Sequence, residues 1–238
     1  MREVLVRHIE TLSPTVRGLT LTCADGGSLS YEPGQWVNLE LGVGGKRDKR
    51  AYSIASAPDP AAPGSFEIAV TRVDEGSVSR ALHALPEGSA VAIDGPHGFF
   101  TREGAAKPPA WFVGTGTGVA PLRAMLQAEL EGAKGAAGPA LGLLLGVRNE
   151  DEILYRAEFE ALAAKHPRFS FHVTLSRPSA AWQGMTGYVQ TQLPKLLDLQ
   201  ARPHVYVCGL SRMVSGVRKV LKEDLGYDRR SIHSERYD

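Results

Sequence analysis

The chain has 238 residues, 43% hydrophobic and 22% charged, and its 27 Lys and Arg nearly balance 26 Asp and Glu for a net charge of +1. That balance excludes a solvating tail or a fibre and leaves room for two domains of about 100–150 residues. It also leaves no global field to draw the chain onto nucleic acid or a membrane surface. Two distant cysteines, Cys23 and Cys208, exclude a disulfide framework, a zinc ribbon and a cysteine-ligated iron–sulfur cluster. The seven histidines lack metal-ligand spacing and are expected at the surface or in hydrogen bonds, so no metal is predicted. Met1 to Leu12 has no apolar core of signal-peptide length, and no run of about 18 apolar residues occurs, so a cytoplasmic, non-membrane protein is expected.

From Glu3 to about Phe100 short apolar runs and alternations (Val4-Leu5-Val6, Leu19-Thr20-Leu21, Trp36 to Leu41, Phe66 to Thr71, Val91-Ala92-Ile93) are punctuated by Gly and Pro. This rhythm predicts an antiparallel β-barrel or sandwich. Ser77 to Leu85 is the one short helix expected there, ended by Pro86. After the Pro-, Gly- and Ala-rich stretch Thr101 to Pro109 the rhythm becomes strand, turn, helix. Trp111 to Val113 precedes a helix from about Pro121 to Glu131, and Leu141 to Leu145 precedes one around Asp151 to Lys165. Phe169 to Leu175 is a further strand, and Val205 to Cys208 leads into a helix reaching Lys222. Alternating strands and helices predict a parallel, doubly wound sheet, with domains 1–104 and 105–238.

Gly114-Thr115-Gly116-Thr117-Gly118-Val119-Ala120-Pro121 lies between a strand and a helix. Glycines let backbone approach a phosphate, and the helix N-terminus adds positive potential. The spacing is G-x-G-x-G, not G-x-G-x-x-G, so the turn alone does not identify a flavin or nicotinamide site. In Arg50-Ala51-Tyr52-Ser53, strand geometry puts Arg50 and Tyr52 on one face, a phosphate clamp beside an aromatic platform. Gly76-Ser77-Val78-Ser79 opens the short helix and could hold an anion, or Ser77 could simply cap it. Two phosphate-type sites in different domains imply two dinucleotides meeting between them.

With Pro33-Gly34-Gln35, Gly95-Pro96-His97-Gly98-Phe99, Gly146-Val147-Arg148, Leu154-Tyr155, Glu158-Phe159, Ser176-Arg177, and Val205 to Gly209 with Met213, these segments run in one order along the chain. In that order the chain resembles the ferredoxin–NADP⁺ reductase superfamily over essentially its whole length. The resemblance implies an N-terminal antiparallel six-stranded β-barrel for FAD and a C-terminal α/β domain with a five-stranded parallel sheet for NADP(H) or NAD(H).

Carried over, Arg50 and Gly76 to Ser79 would hold the FAD pyrophosphate. Ala51 and Tyr52 would border the flavin, Ser53 would hydrogen-bond near N5, and Gly98 and Phe99 would end the barrel beside it. Gly114, Gly116, Gly118 and Pro121 would cradle the nicotinamide nucleotide, with Thr115 and Thr117 facing it. Cys208, Gly209 and Met213 would line the nicotinamide pocket, and Tyr237 would lie against the flavin with Glu235 in its proton network. Ser53, Cys208, Glu235 and Tyr237 are thus the catalytic set.

Ser176 and Arg177 would grip a 2′-phosphate and Tyr188 would stack on adenine. Arg177 tips the expectation to NADPH, although Met185 and Thr186 stand where a basic residue would be. The implied activity is a ferredoxin/flavodoxin–NAD(P)⁺ reductase working by hydride transfer between nicotinamide C4 and flavin N5. Its expected partner is a separate ferredoxin, flavodoxin or oxygenase component, docked on Lys46, Arg47, Lys49, Arg229 and Arg230, with the reductase itself a monomer. The alternatives are an NADH-dependent reductase component of a multicomponent oxygenase and an electron-relay subunit of a larger complex.

Overall fold

Alternation in the first half places one face of each strand in a common core. The computed structural model describes residues 1–43, 46–102, 107–132 and 137–237, apart from the side chains of Val43 and Lys46. Strands β1 (Arg2–Ser13), β2 (Val16–Cys23), β3 (Trp36–Val43), β4 (Lys46–Ser53), β5 (Ser65–Thr71) and β6 (Ala90–His97) form one antiparallel sheet in the order β4-β3-β6-β1-β2-β5. Val4, Val6, Leu19, Leu21, Val37, Leu39, Phe66, Ile68, Val91 and Ile93 alternate inward to fill it. Just past the end of β4, Ile54 bridges Ile68 of β5, which brings the sheet's two edges together as a barrel. Arg50 to Ser56 therefore runs along the seam. Helix α1 (Ser77–Ala84) covers one side, anchored by Val78 and Leu82.

The second sheet is parallel, because helical crossovers connect its strands. Its strands are β7 (Ala110–Thr115), β8 (Leu141–Val147), β9 (Phe169–Leu175), β10 (Met185–Thr186), β11 (His204–Leu210) and β12 (Ile232–Tyr237), in the order β10-β9-β8-β7-β11-β12. Five long strands match the expectation. The sixth, β10, is a two-residue edge that no sequence rhythm could signal. Phe112, Leu143, Leu145 and Tyr206 face helices α2 (Val119–Leu130) and α3 (Arg156–Lys165). Their neighbours Val113, Leu144, Val205 and Val207 face α4 (Val189–Leu196) and α5 (Ser211–Lys219).

The helix expected over 151–165 is shorter. A 3₁₀ turn at Glu150–Glu152 comes first, and Tyr155 at φ 55° starts α3 only at Arg156. The helix expected to reach Lys222 loosens after Lys219 into a π-helical turn over Val220–Asp224. The expected domain boundary at 104/105 falls at 103–106, outside the described residues.

The histidines are mostly surface or hydrogen-bonded, as expected. His204 Nδ1 and His233 Nε2 lie 3.0 Å apart at the start of β11 and β12, and the His233 ring stacks on Tyr206. Burial pulls both below the ordinary imidazole range, helped by Arg102 and, for His233, by His204. His166 departs from the expectation: it is buried, and its Nε2 has no hydrogen-bond partner among the described residues.

The two halves are held by Arg123 of α2, 7% exposed. Its Nη1 donates to Ala55 O at 2.9 Å and to Glu67 Oε2 at 2.7 Å, both in the barrel domain. Its Nε donates to both Glu158 oxygens of α3, at 2.9 and 2.7 Å, and its guanidinium lies 4.3 Å from the Tyr155 ring centroid. Gln127 completes the set, donating to Glu158 at 2.8 Å and accepting from Ala57 N–H at 2.9 Å. A buried cation with two carboxylates is costly to disrupt, because removing it leaves its partners uncompensated. Arg123→Ala should therefore lower the unfolding free energy by roughly 2–4 kcal/mol in a denaturant titration. An unchanged midpoint would mean that apolar burial alone holds the domains.

Candidate functional site

In a doubly wound sheet, ligands bind at the carboxyl ends of strands where the chain reverses its direction of winding. Here the chain leaves β7 outward through β8, β9 and β10 and returns to the other side of β7 as β11 and β12. The reversal lies between β7, ending Gly114-Thr115, and β11, ending Cys208-Gly209-Leu210. A cleft of about 480 Å³ opens there. Thr115, Gly116, Thr117, Gly146, Val147, Arg148, Ser176, Tyr188, Gly209, Arg212 and Met213 line it from one domain, and Ser13, Thr15, Val16 and Thr71 from the other. Tyr237 closes its inner end.

The glycine-rich turn is built for close approach. A Cβ on Gly118 would fall 2.3 Å from Cys208 O, so only glycine lets the turn pack on the end of β11. Gly116 has φ +53° and open space on its Cβ side. Helix α2 follows with no side-chain cap and no acidic residue in its first turn, where Pro121 sits as expected. Thr115 Oγ1 is buried without a hydrogen-bond partner among the described residues, an orphaned group that a bound phosphate or amide would satisfy. Of the two threonines expected to face a nucleotide, Thr117 also bonds Thr71 Oγ1 at 3.2 Å across the domains.

The inner end of the cleft joins the barrel seam through three side chains. Tyr237 OH donates to Ser53 Oγ at 2.6 Å, and Ser53 Oγ donates to Glu235 Oε1 at 3.1 Å. The Cys208 thiol is fully buried, hydrogen-bonds Tyr237 and is pushed well up by burial. Burial also raises the Tyr237 phenol. The four residues chosen as the catalytic set are therefore in one network. They meet because the last residues form a strand, β12, with Glu235 beside Cys208 and Tyr237 beside Leu210. Asp238 lies outside the described residues.

The seam site divides the expected residues. Tyr52 is half-buried against the barrel core, and burial raises its phenol to about 12. Arg50 Nη1 donates to Asp48 Oδ1 at 2.6 Å and Ser77 Oγ donates to Asp48 Oδ2 at 3.0 Å. A carboxylate thus sits where Arg50 and Ser77 converge at the N-terminus of α1, a stand-in for a phosphate. Gly76, not Ser77, is the N-cap. Val78 is in the barrel core, and Ser79 Oγ bonds the backbone of Val73 and Gly76, so these two side chains serve the helix. Ala51 is exposed on the strand's other face. Gly98 packs under Trp36, and Phe99 is fully exposed beside it.

Arg177 does not line the cleft; its N–H donates to Arg148 O at 2.7 Å, while Arg148 and Arg212 line it instead. Arg148 stood in a matched segment, but only the loop after β8 reveals its place; Arg212 had no sequence signal. The expected basic docking patch is neutralised in part. Arg47 pairs with Glu40 at 3.0 Å, and Lys49 with Glu40 at 3.6 Å and Asp94 at 3.8 Å, while the Lys46 side chain lies outside the described residues. Arg229 and Arg230 are exposed beside β12. No group of three or more potential metal ligands occurs among the described residues, and no helix among them is long and apolar enough to cross a membrane.

Comparison with known proteins agrees with this geometry. Residues 3–101 match the model of the oxidoreductase FAD-binding domain, and residues 112–219 that of the oxidoreductase NAD-binding domain. The chain is 47% identical over 236 residues to Ferredoxin--NADP reductase B of Sorangium cellulosum, covering 97% of this chain and 95% of that one. It is 31% identical over 212 residues to the glycine betaine monooxygenase reductase subunit of Pseudomonas aeruginosa, covering 87% of this chain and 56% of that relative. The flavohem-like FAD/NAD-binding domain of nitric oxide dioxygenase from Vibrio cholerae superposes with a TM-score of 0.85 at 26% identity, over 99% of this chain and 98% of that one. The chain belongs to the ferredoxin–NADP⁺ reductase superfamily of FAD- and NAD(P)-binding oxidoreductases. It is an FAD-dependent reductase that transfers electrons between NAD(P)H and FAD.

Burial raises the Glu235 carboxyl above its ordinary 4.5, with the Ser53 hydrogen bond pulling the other way. A carboxyl raised in the native state favours folding while protonated, and that stability is lost as pH rises from the unfolded value through the native one. Glu235→Gln removes this loss, so melting curves should show a higher Tm than the parent at pH 8 and little difference near pH 4.

Proposed function

We propose that this reductase prefers NADPH and exchanges electrons with a separate ferredoxin or flavodoxin, acting as a cytoplasmic monomer. The observation that carries the NADPH reading is the pair of guanidiniums, Arg148 and Arg212, lining the cleft with Ser176 and the exposed Tyr188. A 2′-phosphate is a dianion for which two arginines and a hydroxyl are suited partners, and an exposed phenol suits adenine. The acceptor reading is supported by the 47% identical relative, which bears the name of a ferredoxin–NADP reductase. With only two separated cysteines, this chain carries no cysteine-ligated cluster of its own to relay electrons.

The bound cofactors supply the redox chemistry itself, a hydride passing between nicotinamide C4 and flavin N5. The chain's part is to bind, orient and manage protons. Arg50, Ser77 and the first N–H groups of α1 would hold the FAD pyrophosphate, with Tyr52 as the flavin's platform. Thr115, Gly116 and the α2 N-terminus would hold the nicotinamide nucleotide's pyrophosphate. Ser53 would present its hydroxyl at the flavin while relaying a proton between Tyr237 OH and Glu235 Oε1, the carboxyl whose raised pKa suits it to hold one. Cys208 would close the nicotinamide side by its bulk and its bond to Tyr237.

A second reading, an NADH-dependent reductase component of an oxygenase, draws on the 31% identical relative and on Met185 and Thr186 beside the adenine end. Anaerobic titration of the flavoprotein with NADPH and with NADH separates the two. Bleaching of the flavin bands by NADPH at lower concentration is expected. The double variant Arg148→Ala/Arg212→Ala should raise KM for NADPH about 10- to 100-fold, the scale of one or two charge-assisted hydrogen bonds, with kcat and the NADH KM little changed. Equal effects on both nucleotides would overturn the 2′-phosphate assignment.

A further inference from the structure

Asp48, Arg50 and Tyr52 alternate along β4 and so share one face of the strand at the barrel seam. Both Asp48 oxygens are engaged there: Arg50 Nη1 donates to one at 2.6 Å, and Ser77 Oγ donates to the other at 3.0 Å. Helix α1 has no side-chain N-cap and no acidic residue in its own first turn. Asp48, reaching across from the neighbouring strand, is the anion that meets this helix end. The other basic side chains nearby, Arg47 and Lys49, alternate to the opposite face and pair with Glu40. Asp48 is 34% exposed, so its carboxylate can turn into water without becoming a buried, unpaired charge.

We propose that Asp48 is a built-in competitor for the FAD pyrophosphate. The inference rests on the assignment of Arg50, Ser77 and the α1 N-terminus to that pyrophosphate. The single Ser77 O–H and the Arg50 Nη1 hydrogens, which Asp48 shares with Lys49 O at 2.7 Å, cannot also serve a phosphate, and two anions in contact repel. FAD must therefore turn Asp48 out as it binds, and its affinity is set below what Arg50, Ser77 and the helix would give alone. In the FAD-free protein the same carboxylate offsets the positive charge of Arg50 and ties β4 to α1. FAD retention is thereby tuned by a residue that belongs to the apoprotein's own hydrogen bonding.

The test is a fluorescence titration of the full-length apoprotein with FAD, comparing the parent, Asp48→Asn, Asp48→Ala and Asp224→Asn. Asp224 is exposed in the other domain and controls for the change in net charge. Both Asp48 variants should bind FAD about tenfold more tightly at low salt, equivalent to about 1.4 kcal/mol. The gap should narrow in 0.5 M NaCl, because screening weakens the repulsion that the variants remove. Asp224→Asn should match the parent. The apoprotein of either Asp48 variant should melt below the parent apoprotein, a loss of the Arg50 and Ser77 bonds measured without any flavin.

Equal or weaker FAD binding by both Asp48 variants would overturn the proposal and make Asp48 a group that orients Arg50 for the phosphate. A parent protein that binds no FAD in this titration would instead remove the pyrophosphate assignment beneath it.

Discussion

Everything in the site depends on how the barrel is set against the parallel sheet, and that relation is fixed by one buried cation. Arg123 bonds Ala55 O and Glu67 on the barrel side and Glu158 on the sheet side. Around it the apolar core is continuous, since Val16, Ala55, Ala69 and Phe100 of the barrel pack with Leu122, Met125 and Phe159 of the α/β domain. Apolar burial brings the halves together but does not orient them, because it has no direction. Three fixed acceptors around a planar guanidinium do. The Ser53 to Tyr237 bond spans the same two domains and needs them placed within a fraction of an ångström.

Within that frame the chain's work is electrostatic. Helices α1 and α2 belong to different domains, and neither N-terminus has a side-chain cap to offset its positive end. Where the domains meet lie the hydroxyls of Ser53 and Tyr237 and the half-buried carboxyl of Glu235, with the Cys208 thiol hydrogen-bonded to Tyr237. None of these needs activation as a nucleophile, and none has it: burial moves Cys208, Tyr237 and Glu235 toward their neutral forms. A neutral, enclosed centre between two positive ends is suited to two cofactors whose phosphates are charged and whose reacting rings are not.

Much of this was legible in the sequence because the relevant residues are local. The turn from Gly114 to Gly118 carries its own backbone requirement, and the alternation of β2 and β3 shows which side faces the core. What was hidden is what depends on distant partners. Arg123 reads as an ordinary helical residue until Glu67 and Glu158 are brought to it from 56 and 35 positions away. Ile232 to Tyr237 reads as a polar tail, because an edge strand keeps only one neighbour and needs few apolar residues. Arg177 was expected at the 2′-phosphate because Ser176-Arg177 ends a strand, and only the loop geometry shows that Arg148 lines the cleft and Arg177 does not. Asp48 stands among Lys46, Arg47 and Lys49, and nothing local marks its bond to Ser77, 29 positions away.

Strand β12 links the site to the far side of the molecule. Its carboxyl end supplies Glu235 and Tyr237, and its amino end supplies His233, stacked on Tyr206 and bonded to His204. Among the described residues it pairs with β11 alone. Burial disfavours a charge on either imidazole, as does Arg102 beside them. One short strand thus carries the tyrosine of the site at one end and a stacked, hydrogen-bonded anchor at the other, so the placing of Tyr237 is inherited from the ladder that seats His233.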